Sequence, residues 1–480
     1  MPKKFYITTA IDYVNAAPHI GHAYQKVIAD ILARWHKLLG EDVFFLTGTD
    51  EHGRKVQKAA EKAGKKPKEF VDEISVKFKE AWSALNVKYD RFIRTTDEDH
   101  KKVVKEIIET VNKKGDIYLG DYHGLYCVDC EAYYTEKDAP DFECPVHKRP
   151  LENLKEESYF FRLSKYQKFL LELYENHPEF VLPDKSRNEV KNRVKEDLKD
   201  LSISRTSFNW GVPFPGDEKH VVYVWFDALL NYYSATRQKG KEKYWPADLH
   251  VLGVDNTWFH TVYWPAMLKA AGLPLPKTVF NHGFLTFNGQ KISKSLGNAI
   301  SPRVLVEKYG ADTIRYFVSR HFPFASGESG DFDEKALIDR HNNELANKLG
   351  NLVSRVSVLA EKYGLEKCKI ETLKVEETKK KVEKYFESFE VDKALSEIFA
   401  FIDRCNEFIQ EKKPWESHDK KVLYELACGI KDATILLSPF IPSTCEKIAS
   451  IFGFSLRLRE LDSDLKIRKI KKSEILFRKI

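Results

Sequence analysis

The first 115 residues alternate compact apolar runs with longer stretches of helical periodicity, and this constrains the fold more than any other feature. Lys4–Thr9 reads as a short buried strand. Residues 23–39 carry Val27, Ile28, Ile31, Leu32 and Trp35 at helical spacing. A second run, 42–46 (DVFFL), lies between Gly40 and Gly48. Helical patterns follow over 54–63 and 67–85, then a strand over Arg91–Arg94 and a helix over 98–112. Strands alternating with helices of this length predict an α/β fold with a doubly wound parallel sheet.

Near Gly115 the texture changes. Residues 116–150 are aromatic and turn-rich, and a helical stretch, 163–176, follows. Strand–helix alternation resumes at 220–226 (HVVYVWF) and again at 250–253 and 279–287. The expected division is therefore a sheet in two halves, 1–115 and 216–330, around an insertion, 116–215. From 331 to 480 apolar stripes at helical spacing cover 335–363, 375–389, Val391–Lys412, Lys420–Leu437 and 444–451. These predict a helix bundle. The end, 474–480 (EILFRKI), reads as a short closing strand.

At 480 residues the chain has room for about three domains of roughly 150 residues each. With 42% hydrophobic and 31% charged residues it has an ordinary globular composition. It contains no apolar run long enough to span a membrane as a helix. The start, MPKKFYITTAIDY, lacks the apolar core and cleavage site of a signal peptide, so a cytoplasmic location is expected. The balance of 78 basic against 72 acidic residues, +6, permits a nucleic-acid partner without demanding one. Residues 466–480 hold seven Lys/Arg and one acidic residue, which is either a solvated end or a phosphate-facing patch.

Three clusters carry chemistry. His19-Ile20-Gly21-His22 follows the first strand and its loop and opens the first helix. Ligands of open α/β sheets bind beyond the carboxyl ends of the strands. A helix N-terminus offers unpaired N–H groups to phosphate. Two imidazoles add donors, and Gly21 lets a flat base approach the backbone. On its own the tetrapeptide also reads as a solvated helix cap. Lys291-Ile292-Ser293-Lys294-Ser295 follows a late strand and the turn Asn288-Gly289. Such a cationic loop suits charge developing on a triphosphate, or is a plain surface loop. Cys127-x2-Cys130-x13-Cys144-x2-His147 matches a four-coordinate structural zinc site, with unrelated buried thiols as the alternative. The remaining cysteines, Cys368, Cys405, Cys428 and Cys445, are scattered through the helical region as small apolar residues.

The first two clusters together resemble the His-Ile-Gly-His and Lys-Met-Ser-Lys-Ser signatures of class I aminoacyl-tRNA synthetases, with Ile292 in place of the usual Met. The surrounding blocks resemble the methionine-specific branch of that family. They are Tyr13-Val14-Asn15, Gly48-Thr49-Asp50-Glu51-His52-Gly53, Tyr223-Val224-Trp225-Phe226-Asp227-Ala228, Trp264-Pro265-Ala266-Met267-Leu268 and the segment 347–355.

The resemblance implies a Rossmann-type catalytic sheet, a connective insertion with a zinc knuckle, and an anticodon-binding helix bundle. It implies activation of methionine by ATP with Mg2+, then transfer to tRNA(Met) for initiation and elongation. In that scheme His19 and His22 position phosphate, and Lys291 and Lys294 stabilise the leaving pyrophosphate. Gly21, Gly253, Asp255 and Ser293 complete the ATP set. Ile11, Tyr13, Trp225, Ala228, Tyr232 and His260 line the methionine side chain, and Asp50 holds its ammonium group. Asn347, Asn351 and Arg355, four residues apart on one helix face, and Trp415 read the CAU anticodon. Without the resemblance these are a polar face and a core tryptophan. The knuckle ligands are Cys127, Cys130, Cys144 and His147, holding one Zn2+. Two positions depart from the family pattern: Asp12 stands where Pro or Tyr is usual, and Leu229 where Pro is common. A chain ending with the helical region is expected to be a monomer.

Overall fold

The structure is a computed structural model that describes residues 2–127, 132–134, 139, 141–145, 148–196, 198–287, 289–292, 300–467 and 470–480. Its centre is a parallel sheet of β1 (Lys4–Thr9), β2 (Asp42–Asp50), β3 (Arg91–Arg94), β4 (Leu249–Gly253) and β5 (Thr278–His282), in the order β3-β2-β1-β4-β5. Asp12–Tyr13 pairs with the end of β2, and Val181–Leu182 pairs with β5, both parallel.

Side chains alternate across each strand, and here both faces are covered. Phe5, Ile7, Val43 and Phe45 pack beneath α1 (Ile20–Leu38) and α2 (Pro67–Ala84). Tyr6, Phe44 and Leu46 pack on the other side with α3 (Glu98–Lys113) and α4 (Trp264–Ala271). That is why DVFFL is apolar throughout rather than at every second position. Each such buried side chain contributes about 1.5–3 kcal/mol.

The insertion is antiparallel. Ile117–Cys127 pairs with Glu152–Phe161, flanked by Ala132–Tyr134 and Leu201–Ser202. The expected strand at 220–226 is not part of the parallel sheet. Asp217–Val222 pairs with Ser204–Arg205 and Pro213–Phe214, and Val224–Ala228 is already helical. A continuous apolar run does not distinguish a strand from a buried helical turn. The run 279–287 also divides. At Gly283 a Cβ would fall 2.1 Å from Glu328 O, and the chain passes there from β5 to Leu285–Phe287. That segment pairs with Gln290–Lys291 and Gly330–Phe332.

Helices cover Glu334–Arg340, His341–Gly350, Asn351–Tyr363, Glu376–Glu387, Val391–Lys412, Lys420–Leu437 and Pro442–Phe452. They are fastened to the sheet through α5 (Ala311–His321). Its fully buried Arg315 contacts Asp30 of α1 at 2.7 Å and donates to Phe440 O (2.8 Å) and Pro439 O (2.7 Å). Trp35 of α1 stacks on Phe386 with ring centres 4.2 Å apart. The expected closing strand at 474–480 does not form. His341 Nε2 donates to Arg478 O (2.8 Å), and Asn342 bonds Ile480 in both directions (2.8 and 3.0 Å). The segment is held along a helix and pairs with no described strand.

Candidate active site

A cavity of about 450 Å³ opens beyond the carboxyl ends of β1, β2, β4 and β5. Each of these strands delivers its last residues, or the loop after it, to the wall.

Beyond β1, His19 caps α1 with a ring nitrogen that accepts from Gly21 N (3.2 Å), and His22 Nδ1 accepts from His19 N (3.2 Å). A neutral imidazole that accepts at Nδ1 carries its proton on Nε2, the donor that a phosphate oxygen needs. The first turn of α1 holds no acidic residue, but its N–H groups are not the unpaired donors the sequence suggests: Ile20 N donates to Ile300 O and His22 N to His19 O, both at 3.0 Å, and Gly21 N to the His19 ring, so this end offers an anion the helix dipole and the two imidazoles. A Cβ at Gly21 would lie 3.0 Å from the His19 ring, so only glycine keeps this arrangement relaxed. The histidines are thus a helix cap and a cavity wall at once. At the end of β4, a Cβ on Gly253 would meet Asp255 Oδ1 at 2.7 Å, so glycine allows the carboxylate to sit against the backbone.

The other end of the cavity is aromatic. Trp225 stacks on Phe259 at 3.6 Å and meets His260 edge-on. Burial holds His260 down at about 4, so the ring is neutral. Its Nδ1 donates to Asn256 O (2.9 Å), leaving Nε2 to accept the Tyr232 hydroxyl at 2.7 Å. A neutral His–Tyr pair among stacked rings is a wall for an apolar side chain. Trp225 Nε1 is buried without a hydrogen-bond partner among the described residues. Behind this wall Asp227 accepts from His52 Nδ1 (2.7 Å) and His100 Nε2 (2.8 Å). Burial alone would raise this carboxyl. The two histidines outweigh that and hold it at about 2. The pair His52–Asp227 therefore ties the Asp50 end of β2 to the short helix carrying Trp225 and Ala228.

Twelve expected residues line this one cavity: Ile11, Tyr13, Asp50, Trp225, Ala228, Tyr232 and His260 with His19, Gly21, His22, Gly253 and Asp255. Ile292, where the family pattern has Met, is buried in the same wall. Lys291 ends the strand before it, although its side chain, with Ser293 and Lys294, lies outside the described residues. Leu229 is fully buried in the wall, and Asp12 is held by Lys26. Other wall residues escaped the sequence reading, Gln25 and His282 among them. Gln25 follows Gly21 by one helical turn, and His282 closes β5. Gln25 Nε2 donates to His282 Nε2 at 3.4 Å. Their signals were helix-face spacing and a strand's carboxyl end.

Two expected zinc ligands, Cys130 and His147, lie outside the described residues. Cys127 ends a strand and Cys144 sits in a tight turn, where its N–H donates to Arg149 O and its carbonyl accepts from Lys148 N, both at 2.8 Å. Both side chains are buried. Among the described residues no group of three or more His, Cys, Asp or Glu is disposed to hold a metal. On the bundle, Asn347 and Asn351 are exposed, and the Arg355 guanidinium lies 5.0 Å above the half-buried Trp415 ring. No described helix is long and apolar enough to cross a membrane.

Comparison with known proteins agrees with this geometry. The family model for class I tRNA synthetases (M) matches residues 5–152 and 141–357, and that for the anticodon-binding domain of tRNA ligase matches 372–477. A methionine–tRNA ligase of Caldanaerobacter subterraneus is 45% identical, covering 100% of this chain and 79% of that protein. One from Thermotoga maritima is 47% identical over 93% of this chain and 74% of its own length. The Mycobacterium tuberculosis methionyl-tRNA synthetase in complex with methionyl-adenylate superimposes with a TM-score of 0.95 at 37% identity, covering 99% of each chain. Its apo form superimposes with a TM-score of 0.88. The chain belongs to the methionyl-tRNA synthetases of the class I aminoacyl-tRNA synthetase family.

Proposed function

We propose that this chain joins methionine to tRNA(Met) in two steps within the cavity. A carboxylate oxygen of methionine attacks the α-phosphorus of ATP, forming methionyl-adenylate and expelling pyrophosphate. A hydroxyl of the tRNA terminal adenosine then attacks the adenylate carbonyl, forming the ester and releasing AMP. No side chain acts as nucleophile, so catalysis is positioning and electrostatics.

Asp50 takes the methionine ammonium group. The neutral wall of Trp225, Tyr232 and His260, with Ile11, Tyr13 and Ala228, takes the thioether. His19 and His22 hold phosphate beside Gly21, Gly253 and Asp255. Lys291 and Lys294, with Ser293, meet the leaving pyrophosphate. Mg2+ accompanies ATP and neutralises phosphate charge. Cys127, Cys130, Cys144 and His147 hold one structural zinc, and three thiolates with one imidazole fit tetrahedral zinc. Asn347, Asn351, Arg355 and Trp415 contact the anticodon. The parts divide as 1–115 and 216–330 for the catalytic sheet, 116–215 for the connective insertion and 331–480 for the anticodon-binding bundle. The protein works in the cytoplasm.

One observation supports this most: an anion-binding helix start and a neutral aromatic pocket share a single cavity at the carboxyl edge of the sheet. The test is charging of tRNA with a CAU anticodon in the presence of methionine, ATP and Mg2+. Methionyl-tRNA, AMP and pyrophosphate are expected. Absence of a charged tRNA refutes the assignment.

A further inference from the structure

Arg355 is held in place without being neutralised. Arg34 and Arg315 meet the carboxylate of Asp30, and Arg94 meets that of Glu51. Arg355, on the helix Asn351–Tyr363, meets no carboxylate among the described residues. Its part-burial makes the proton easier to lose, and no neighbouring charge opposes that.

What holds it comes from the neighbouring helix, Val391–Lys412. The two helical stretches meet along a seam. Lys348 Nζ donates to Asp403 Oδ2 at 2.7 Å, and Asn406 Nδ2 donates to Lys348 O at 3.4 Å. Two turns further along both, at 355 and 410, the seam brings Arg355 to Gln410. Turned so that its amide oxygen faces the guanidinium, Gln410 accepts from Arg355 Nη1 at 2.8 Å and Nη2 at 3.3 Å. With the amide the other way round, donors would face donors. On a second side the guanidinium lies 5.0 Å from the centre of the Trp415 ring.

A guanidinium carries five N–H donors in a rigid fork. Gln410 takes two, which leaves three. Because the acceptor is a neutral amide, it fixes the fork and leaves the positive charge whole. Arg355, Gln410 and Trp415 all keep exposed surface, as does Asn351 one turn before Arg355. A donor group fixed in advance loses less freedom when a ligand arrives.

Building on the anticodon reading, we propose that Gln410 is a positioning residue for anticodon recognition: its amide oxygen holds the Arg355 fork beside the Trp415 ring, with three donors left for an RNA base. Gln410 acts through Arg355 and needs no contact of its own with the RNA.

The test is Gln410→Leu, which keeps the bulk and removes the acceptor, made both in the parent and together with Arg355→Ala. The readouts are the KM for tRNA in charging, pyrophosphate–ATP exchange without tRNA, and melting temperature. Losing one hydrogen bond predicts a KM for tRNA raised roughly 3–10-fold in the parent. Exchange and melting temperature should not change. Beside Arg355→Ala, the leucine should add nothing, because the group that Gln410 orients is gone. A merely structural Gln410 would lower the melting temperature whether or not Arg355 is present, and that result overturns the proposal. So does an unchanged KM for tRNA. So does a loss that persists in full without Arg355, which would make Gln410 an RNA contact in its own right. Should Gln410→Leu fail to fold, Gln410→Ala carries the same comparison. If Arg355→Ala alone leaves the KM for tRNA unchanged, the anticodon reading of Arg355 is itself refuted, and Gln410's part in it falls with it.

Discussion

Replacing Asp227 by Asn tests how the pocket is held together. The carboxylate is fully buried and receives His52 Nδ1 at 2.7 Å and His100 Nε2 at 2.8 Å. Held at about 2 against an ordinary 3.8, it favours the ionised folded state by about 2 kcal/mol. Asparagine offers one oxygen and turns an N–H towards a histidine donor. A buried donor left without an acceptor costs about 1–3 kcal/mol more. Together the loss is about 3–5 kcal/mol, the range for breaking a buried ion pair. A catalytic region of this size loses about 2–4 °C of melting temperature per kcal/mol, so a fall of about 10 °C is expected. Asp227 shares its helix with Trp225 and Ala228, and His52 follows Asp50 by two residues, so the KM for methionine should rise while that for ATP changes little. The pH dependence has a definite sign. A depressed carboxyl contributes fully above its ordinary value and loses its contribution as pH falls towards its folded value. The melting gap between parent and variant should be constant above about pH 4 and close towards pH 2. Unchanged melting with an unchanged KM for methionine would refute this reasoning.

Three further outcomes follow from the proposed roles. Lys294→Ala should slow pyrophosphate exchange roughly 10²–10³-fold, as for one lost preorganised charge partner, with methionine binding unchanged; a near-normal exchange rate refutes the role. Metal analysis should find one zinc per chain, and Cys144→Ser should lower it while the parallel sheet stays folded; a parent value near zero or two contradicts the single site. Trp415→Ala should weaken tRNA binding by roughly 1–3 kcal/mol, the range for one stacked base, and leave methionine activation intact. Loss of melting temperature with both activities would mean that the ring is packing.

Much of this was legible because the physics was local. Lys4–Thr9, Arg91–Arg94, Val391–Lys412 and Lys420–Leu437 form at the expected residues, since each is marked by its own local residue pattern, and Asp419 caps the last of them. The run 220–226 reads as one strand because burial erases periodicity, so the end of a central strand of the small antiparallel sheet and the helical turn after it look alike. The end, 474–480, has the apolar content of a strand but meets a helix rather than a sheet edge, which only tertiary packing decides. Asp12 was visible as an odd residue beside the pocket. Its partner, Lys26, was invisible because pairing across a strand end and a helix needs the fold.

The central claim is that the aromatic end of the cavity selects methionine for activation. Pyrophosphate–ATP exchange measured with each amino acid in turn, without tRNA, tests it most directly. Methionine is expected to drive exchange, with leucine, isoleucine and cysteine far behind. Exchange driven as well or better by another amino acid, or by none, would contradict the account.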